Sequence, residues 1–82
     1  MRLNGEIIRG GTVVSKRKQP GVLGKKYLIC IRFDEKFNNR TGQNKHEFRV
    51  DANRFHYVIV GARVQASFEK SINGYQPAGY FF

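Results

Sequence analysis

The sequence predicts an all-β fold: a small barrel or curved sheet of five or six strands, OB-like or SH3-like, with at most one short turn of helix. Three observations lead to this class. Apolar and polar residues alternate in several short runs, turn-forming residues separate these runs at regular spacing, and only one segment carries a helix-capping signal. Closure into a barrel also hides the strand edges that such a chain otherwise exposes.

The chain length and composition limit the core to one. Its 82 residues suffice for one hydrophobic core, so we expect a single domain over residues 1–82. The apolar fraction of 40%, which includes seven Phe and four Tyr, argues against disorder. Cys30 is the sole cysteine, which excludes an intramolecular disulfide and a thiolate-rich metal site. Its apolar neighbours predict that it is a small buried side chain.

The first third of the chain predicts a strand followed by a loop. β-Branched residues flank the pair Gly10-Gly11, which predicts a strand with a bend or bulge there, or two short strands that meet at a corner. The segment Lys16–Lys26 contains one proline, two glycines and five cations, and it predicts a basic loop.

The middle of the chain predicts two strands and the helical turn. Tyr27–Asp34 alternates with apolar residues on both faces, as in a central strand or a barrel strand. Glu35–Asn44 predicts a polar connection that is too long for a tight turn. Lys45–Asp51 then alternates as a half-exposed strand, and Asp51 can cap a short helix that extends to Tyr57.

The last third predicts a hairpin. Ala62–Lys70 alternates again, and Asn73-Gly74 predicts a type I′ turn after it. The final strand, Tyr75–Phe82, contains Pro77, which cannot donate to a ladder. This strand is therefore expected at an edge, or with its proline at a bulge.

Four short segments occur in an order that is informative when they are taken together. They are Val13-Val14-Ser15-Lys16-Arg17, a strand that ends at Phe33, Glu47-Phe48-Arg49-Val50, and Val60-Gly61-Ala62-Arg63-Val64. This order resembles small bacterial β-barrel domains of unknown function over most of residues 12–82. The resemblance implies an OB-like or SH3-like barrel and no particular activity. The position after Gly61 is often acidic in such domains, and Ala62 departs from that pattern; some relatives are tethered to a membrane.

The charge is the strongest compositional signal about partners. Fifteen Lys and Arg against six Asp and Glu give a net charge of +9. Such an excess favours polyanions: nucleic acid first, an anionic membrane surface second and an acidic protein third. The sequence has no apolar run long enough for a membrane span and no signal-peptide core, so we expect a cytoplasmic protein.

The sequence carries no motif of a known catalytic or cofactor site. It contains no G-x-S-x-G, G-x-x-x-x-G-K-[ST] or G-x-G-x-x-G pattern. His46 and His56 lie ten residues apart, which is not a metal-ligand spacing. We therefore expect a non-enzymatic protein without a metal or another cofactor.

The composition matches what a single strand of nucleic acid requires: cations for phosphates and flat side chains for bases. The cations that we assign to this role are Lys16, Arg17, Lys18, Lys25 and Lys26 around the first loop, and Arg32, Arg40, Lys45, Arg49 and Arg63 on outward strand faces or other loops. The aromatic residues assigned to stacking are Phe37 and Tyr75, with Tyr57 and Tyr80 as further candidates. The alternative for these aromatic residues is packing in the core or at an edge.

The leading prediction is a nucleic-acid-binding barrel with limited sequence preference, and single strands are the favoured ligand. The alternative is a protein-interaction or assembly module. Its positive surface would dock an acidic partner, or its edge strand at Tyr75–Phe82 would pair with a second copy of the chain.

Overall fold

The computed structural model describes residues 6–82, which form a nearly closed barrel of five antiparallel strands and one short helix. The elements are β1 (Ile7–Gln19), β2 (Lys26–Phe33), β3 (Lys45–Val50), α1 (Ala52–Tyr57), β4 (Arg63–Ser71) and β5 (Gly74–Phe81). The predicted all-β class with a single short helix is confirmed.

The strand order is β3-β2-β1-β4-β5. β1 belongs to both halves of this sheet, because its first part pairs with β4 and its second part pairs with β2. β3 and β5 are the two ends of the order, and they meet at what we call the seam. There the rings of Phe48 and Phe81 pack with centroids 5.2 Å apart. The seam is thus bridged by side chains.

The core is mainly aromatic, as a short chain with many Phe residues requires. Phe33 lies in edge-to-face contact with Phe37, Phe48 and Phe68, with ring centroids between 4.7 and 6.3 Å apart. The buried set is Val13, Ile29, Ile31, Phe33, Phe37, Phe48, Phe55, Ala66, Phe68 and Phe81. One side of β2 supplies three of these side chains, Ile29, Ile31 and Phe33, so the alternating strand predicted over Tyr27–Asp34 is confirmed.

The predicted basic loop over Lys16–Lys26 is wrong for its first part. Lys16–Gln19 continue β1 and pair with β2 from Ile29 to Lys26. Only Pro20–Lys25 remain between the two strands. The reason is that β2, rich in strong β-formers, offers a hydrogen-bonding partner, and this pairing outweighs the polar composition of the segment.

The irregularity of β1 does not lie at its glycine pair. The register with β2 shifts between Val13 and Ser15, so the bulge falls at Val14. Gly11 serves close packing instead: a Cβ atom there would lie 2.7 Å from Ile31 Cγ2 and 2.9 Å from the carbonyl oxygen of Arg32.

The β4–β5 hairpin is present, but its predicted type I′ turn is wrong. That turn needs a positive φ at Asn73, and in residues 6–82 only glycines have one. Ser71 pairs with Gly74, whose φ is +114°. The Asn73 carbonyl accepts a hydrogen bond of 2.7 Å from Asn39 N–H, so contact with the β2–β3 connection fixes the turn.

The predictions for the final strand and for the helix cap are confirmed. β5 is an end strand of the order. Its register with β4 shifts directly after Pro77, where residues 78–80 stand opposite the single residue Ser67. Asp51 caps α1, because its Oδ1 accepts a 2.8 Å hydrogen bond from Arg54 N–H.

Candidate nucleic-acid interface

The outer side of β1, β2 and β3 carries a group of cations that cross-strand pairing brings together. Residues directly opposite one another point to the same side of a sheet. Arg17 stands opposite Leu28, which stands opposite Arg49; Arg32 stands opposite Lys45. We call the exposed set the basic face. It comprises Arg17, Lys26, Arg32, Lys45, Arg49 and Arg63.

Arg63 joins this set from β4. Both Arg63 and Arg32 pair with Thr12 of β1, one on each side, and Arg63 Nη1 donates to Thr12 Oγ1 at 2.9 Å. A row of side chains from Arg63 through Thr12 and Arg32 to Lys45 therefore crosses four strands. The six cations of the basic face belong to one continuous surface.

Two carboxylates lie at this surface, and each binds one arginine. Arg17 donates two hydrogen bonds to Glu47, of 2.6 and 2.8 Å. Arg63 holds Asp34 in the same bidentate way. These hydrogen bonds lower the pKa of Glu47 and of Asp34, so both stay ionised.

The other four cations are more available to an external anion. Within residues 6–82, no carboxylate lies at ion-pair distance from Lys26, Arg32, Lys45 or Arg49. All four side chains are exposed. They are the members of the basic face from which phosphate contacts are expected first.

Four other cations of the sequence prediction are not part of the basic face: three lie away from it, and the fourth lies at its border. Lys16 and Lys18 lie on the opposite side of β1, above the Phe55 ring, and Lys16 Nζ donates to the Phe55 carbonyl at 2.7 Å. Arg40 belongs to the β2–β3 connection. Lys25, in the β1–β2 loop, borders the same groove as Arg49.

The two aromatic residues assigned to stacking do not lie on the basic face. Phe37 is 7% exposed and packs on Phe33 and Phe68, so its assignment as a stacking residue is wrong. Tyr75 is half-buried against the core. Of the further candidates, Tyr57 and Tyr80 are exposed.

Sequence reasoning missed three exposed apolar side chains. Val22 and Leu23, in the β1–β2 loop, are fully exposed, and with Arg49 they border a groove of about 460 Å³. Phe82 is half exposed and stacks with Tyr80. The i, i+2 spacing of Tyr80 and Phe82 was a signal for this pair, because such residues share one side of a strand.

The groups considered for metal or thiol chemistry are dispersed. Cys30 is half-buried on the outer side of β2, so its prediction as a buried side chain is wrong. In the part of the chain that the structure describes, no three His, Cys, Asp or Glu side chains are grouped as metal ligands require. No helix among residues 6–82 has the length and apolarity to cross a bilayer.

Comparison with solved structures supports the fold. A crystal structure of a DUF2500 domain from Klebsiella pneumoniae matches with a TM-score of 0.53 and 21% sequence identity, covering 93% of this chain and 94% of that one. At this identity the likeness concerns the fold alone, a small nearly closed barrel, as the sequence resemblance implied. No protein-family model and no curated protein sequence matches the chain.

Proposed function

We propose that this protein binds single-stranded nucleic acid along its basic face, without catalysis and with limited sequence preference. One observation carries the proposal: six exposed cations from four strands occupy one continuous surface. Among residues 6–82, two carboxylates form ion pairs with members of this set. Cations that share one surface can contact several phosphates of one strand, and phosphate contacts carry no direct sequence information.

We also propose that the barrel is of the OB type. The strand order, with β1 shared between β2 and β4, and the position of α1 between β3 and β4 support this type. OB barrels bind oligonucleotides and oligosaccharides on the face of their second and third strands and on adjoining loops. Four of the six cations of the basic face lie on β2 and β3.

The size of the electrostatic contribution follows from the ion pairs. Arg17 and Arg63 are partly neutralised by Glu47 and Asp34, which leaves four cations for phosphates. Four contacts to a single strand give a slope of about −2.8 in a plot of log affinity against log salt concentration. Affinity should then fall about 50-fold between roughly 50 and 200 mM salt.

Fluorescence anisotropy with a labelled oligothymidylate of about 16 nucleotides tests the proposal. The double variant Arg32→Gln/Lys45→Gln removes two neighbouring cations of the basic face, and its slope should fall to about −1.4. The control Lys36→Gln/Lys70→Gln removes the same charge from exposed positions outside that face and should keep the original slope. Absent binding at low salt, or affinity that does not depend on salt, would refute the proposal.

A second candidate function, docking of an acidic protein, is favoured by the β1–β2 loop. Val22 and Leu23 are fully exposed, and Lys25 and Lys26 follow them after one glycine. Burial of each apolar side chain in a partner would contribute about 1.5 to 3 kcal/mol. Light scattering tests whether the partner is instead a second copy of the chain. This candidate would be favoured if the protein does not bind oligonucleotides and if Val22→Ser/Leu23→Ser lowers its affinity for an acidic partner.

A further inference from the structure

The end of β5 and the residue that follows it carry a stacked aromatic pair that the core does not use. Tyr80 and Phe82 are 53% and 56% exposed, and their rings lie 6.3 Å apart between centroids with planes 27° apart. Phe81 between them points inward and is 2% exposed. The strand is thus anchored by Phe81 and presents the two neighbouring rings to the outside.

The backbone that carries the pair is held firmly. The Phe82 N–H donates to the Gln65 carbonyl, and the Gln65 N–H donates back to the Phe82 carbonyl, each at 2.7 Å. Arg54 donates to the Phe81 carbonyl and lies over the Phe81 ring, 4.2 Å from its centroid. The two rings therefore have fixed supports and need little ordering when a ligand binds.

Arginines of the basic face lie on both sides of the pair. At the seam, Tyr80 and Arg49 line one cleft of about 240 Å³. On the β4 side, Phe82 and Arg63 line a groove of about 380 Å³. The aromatic pair and the basic face are therefore parts of one continuous surface around the barrel.

We propose that Tyr80 and Phe82 are a stacking platform for unpaired bases of a strand whose phosphates contact Arg49; this rests on the proposed nucleic-acid function. Exposed flat rings beside an exposed cation match the alternation of base and phosphate along a single strand. Base stacking on an aromatic side chain strengthens binding by about 5- to 150-fold per base. Bases in a duplex are already stacked and paired, so the platform selects single strands.

The test separates stacking from charge by using two ligands of equal length and charge. One is a labelled oligothymidylate, and the other is an abasic deoxyribose-phosphate oligomer, both measured by anisotropy. Tyr80→Ala/Phe82→Ala should bind the oligothymidylate at least about five-fold more weakly, with an unchanged salt slope. Its affinity for the abasic oligomer should stay within about two-fold of the original, since phosphate contacts do not require the rings.

Two further variants serve as controls. Ile72→Ala shortens a side chain of the β4–β5 turn that is 97% exposed, and it should change neither affinity. Tyr80→Phe keeps a ring and should bind like the original protein. Circular dichroism tests whether each variant is folded. If the double variant does not fold, Tyr80→Ala alone takes its place.

The outcomes separate the two proposals. The platform is overturned if the double variant binds the oligothymidylate as tightly as the original protein, or if it loses the same affinity for both ligands. Either result leaves the basic face as a phosphate site. If the unmodified protein binds neither ligand, the proposed function fails and the platform fails with it. A dimer that the double variant dissolves would make the pair a contact between copies of this chain, and this outcome also overturns the platform.

Discussion

Gly11 offers a sharp test of how tightly β1 packs against β2. Alanine at this position would place its Cβ atom 2.7 Å from Ile31 Cγ2, 2.9 Å from the Arg32 carbonyl oxygen and 3.0 Å from Phe33 Cδ1. The Ile31 and Phe33 side chains are buried in the core, and the third contact is backbone. None of the three can move away without disturbing the sheet, so we expect Gly11→Ala to destabilise the fold.

The size of the effect follows from two opposing contributions. Overpacking a buried position costs about 1 to 3 kcal/mol. Replacing glycine restricts the unfolded chain and returns about 0.4 to 1 kcal/mol. At the middle of each range the net loss in the free energy of unfolding is about 1.3 kcal/mol, which lowers Tm by about 5 to 10 °C in a domain of this size.

The adjacent glycine is the matched control. A Cβ atom on Gly10 would meet the end of the Arg63 side chain at 3.0 Å and Asp34 Oδ2 at 3.4 Å, and the Arg63 side chain is exposed and can shift. We expect Gly10→Ala to leave the free energy of unfolding within about 0.5 kcal/mol of the original value. Urea unfolding followed by far-ultraviolet circular dichroism measures both variants, and equal stabilities would refute the close approach at Gly11.

Two further predictions concern stability. Burial lowers the pKa of His46, so the unfolded chain binds the proton more readily, and the free energy of unfolding should fall as the pH drops below about 6.5. Urea unfolding at several pH values between about 7 and 5 should show a shallower fall for His46→Phe, and parallel curves would contradict this cause. Asp51→Ala removes the cap of α1 and should cost about 0.5 to 2 kcal/mol in thermal unfolding. Asn53→Ala in the same helix is the control, and a similar loss there would show that the cap is not responsible.

The parts of the fold that the sequence predicts are those determined by local patterns. Alternation in Tyr27–Asp34 and Lys45–Asp51 predicts β2 and β3, because each side of a strand has its own environment. The carboxylate of Asp51 predicts α1 for an equally local reason. The second part of β1 has a loop-like composition and is a strand because β2 lies beside it.

The candidate site is less predictable, since it depends on contacts between distant segments. The strand pattern marks Arg32, Lys45 and Arg49 as outward-facing, but only the strand order shows that they are neighbours. Phe37 lies in a polar segment of the sequence but is buried in the core. The neighbouring residue Asn38 forms a β-bridge with Gly74, which holds this segment against the β4–β5 hairpin. The cleft that Tyr80 shares with Arg49 exists because β5 returns to β3 at the seam.

The double pairing of β1 has a consequence for the order of folding on the ribosome. β1 and β2 are joined by a short loop and can form a hairpin soon after both are synthesised. The first part of β1 must wait for β4, since Thr12 and its partner Arg63 are 51 residues apart in the chain. Bringing these two segments together lowers the conformational entropy of the chain between them before their contacts form, which slows folding. A nascent chain released or stalled before β4 would expose the unpaired edge of β1 to other chains, so ribosome-bound intermediates of that length are where aggregation is expected.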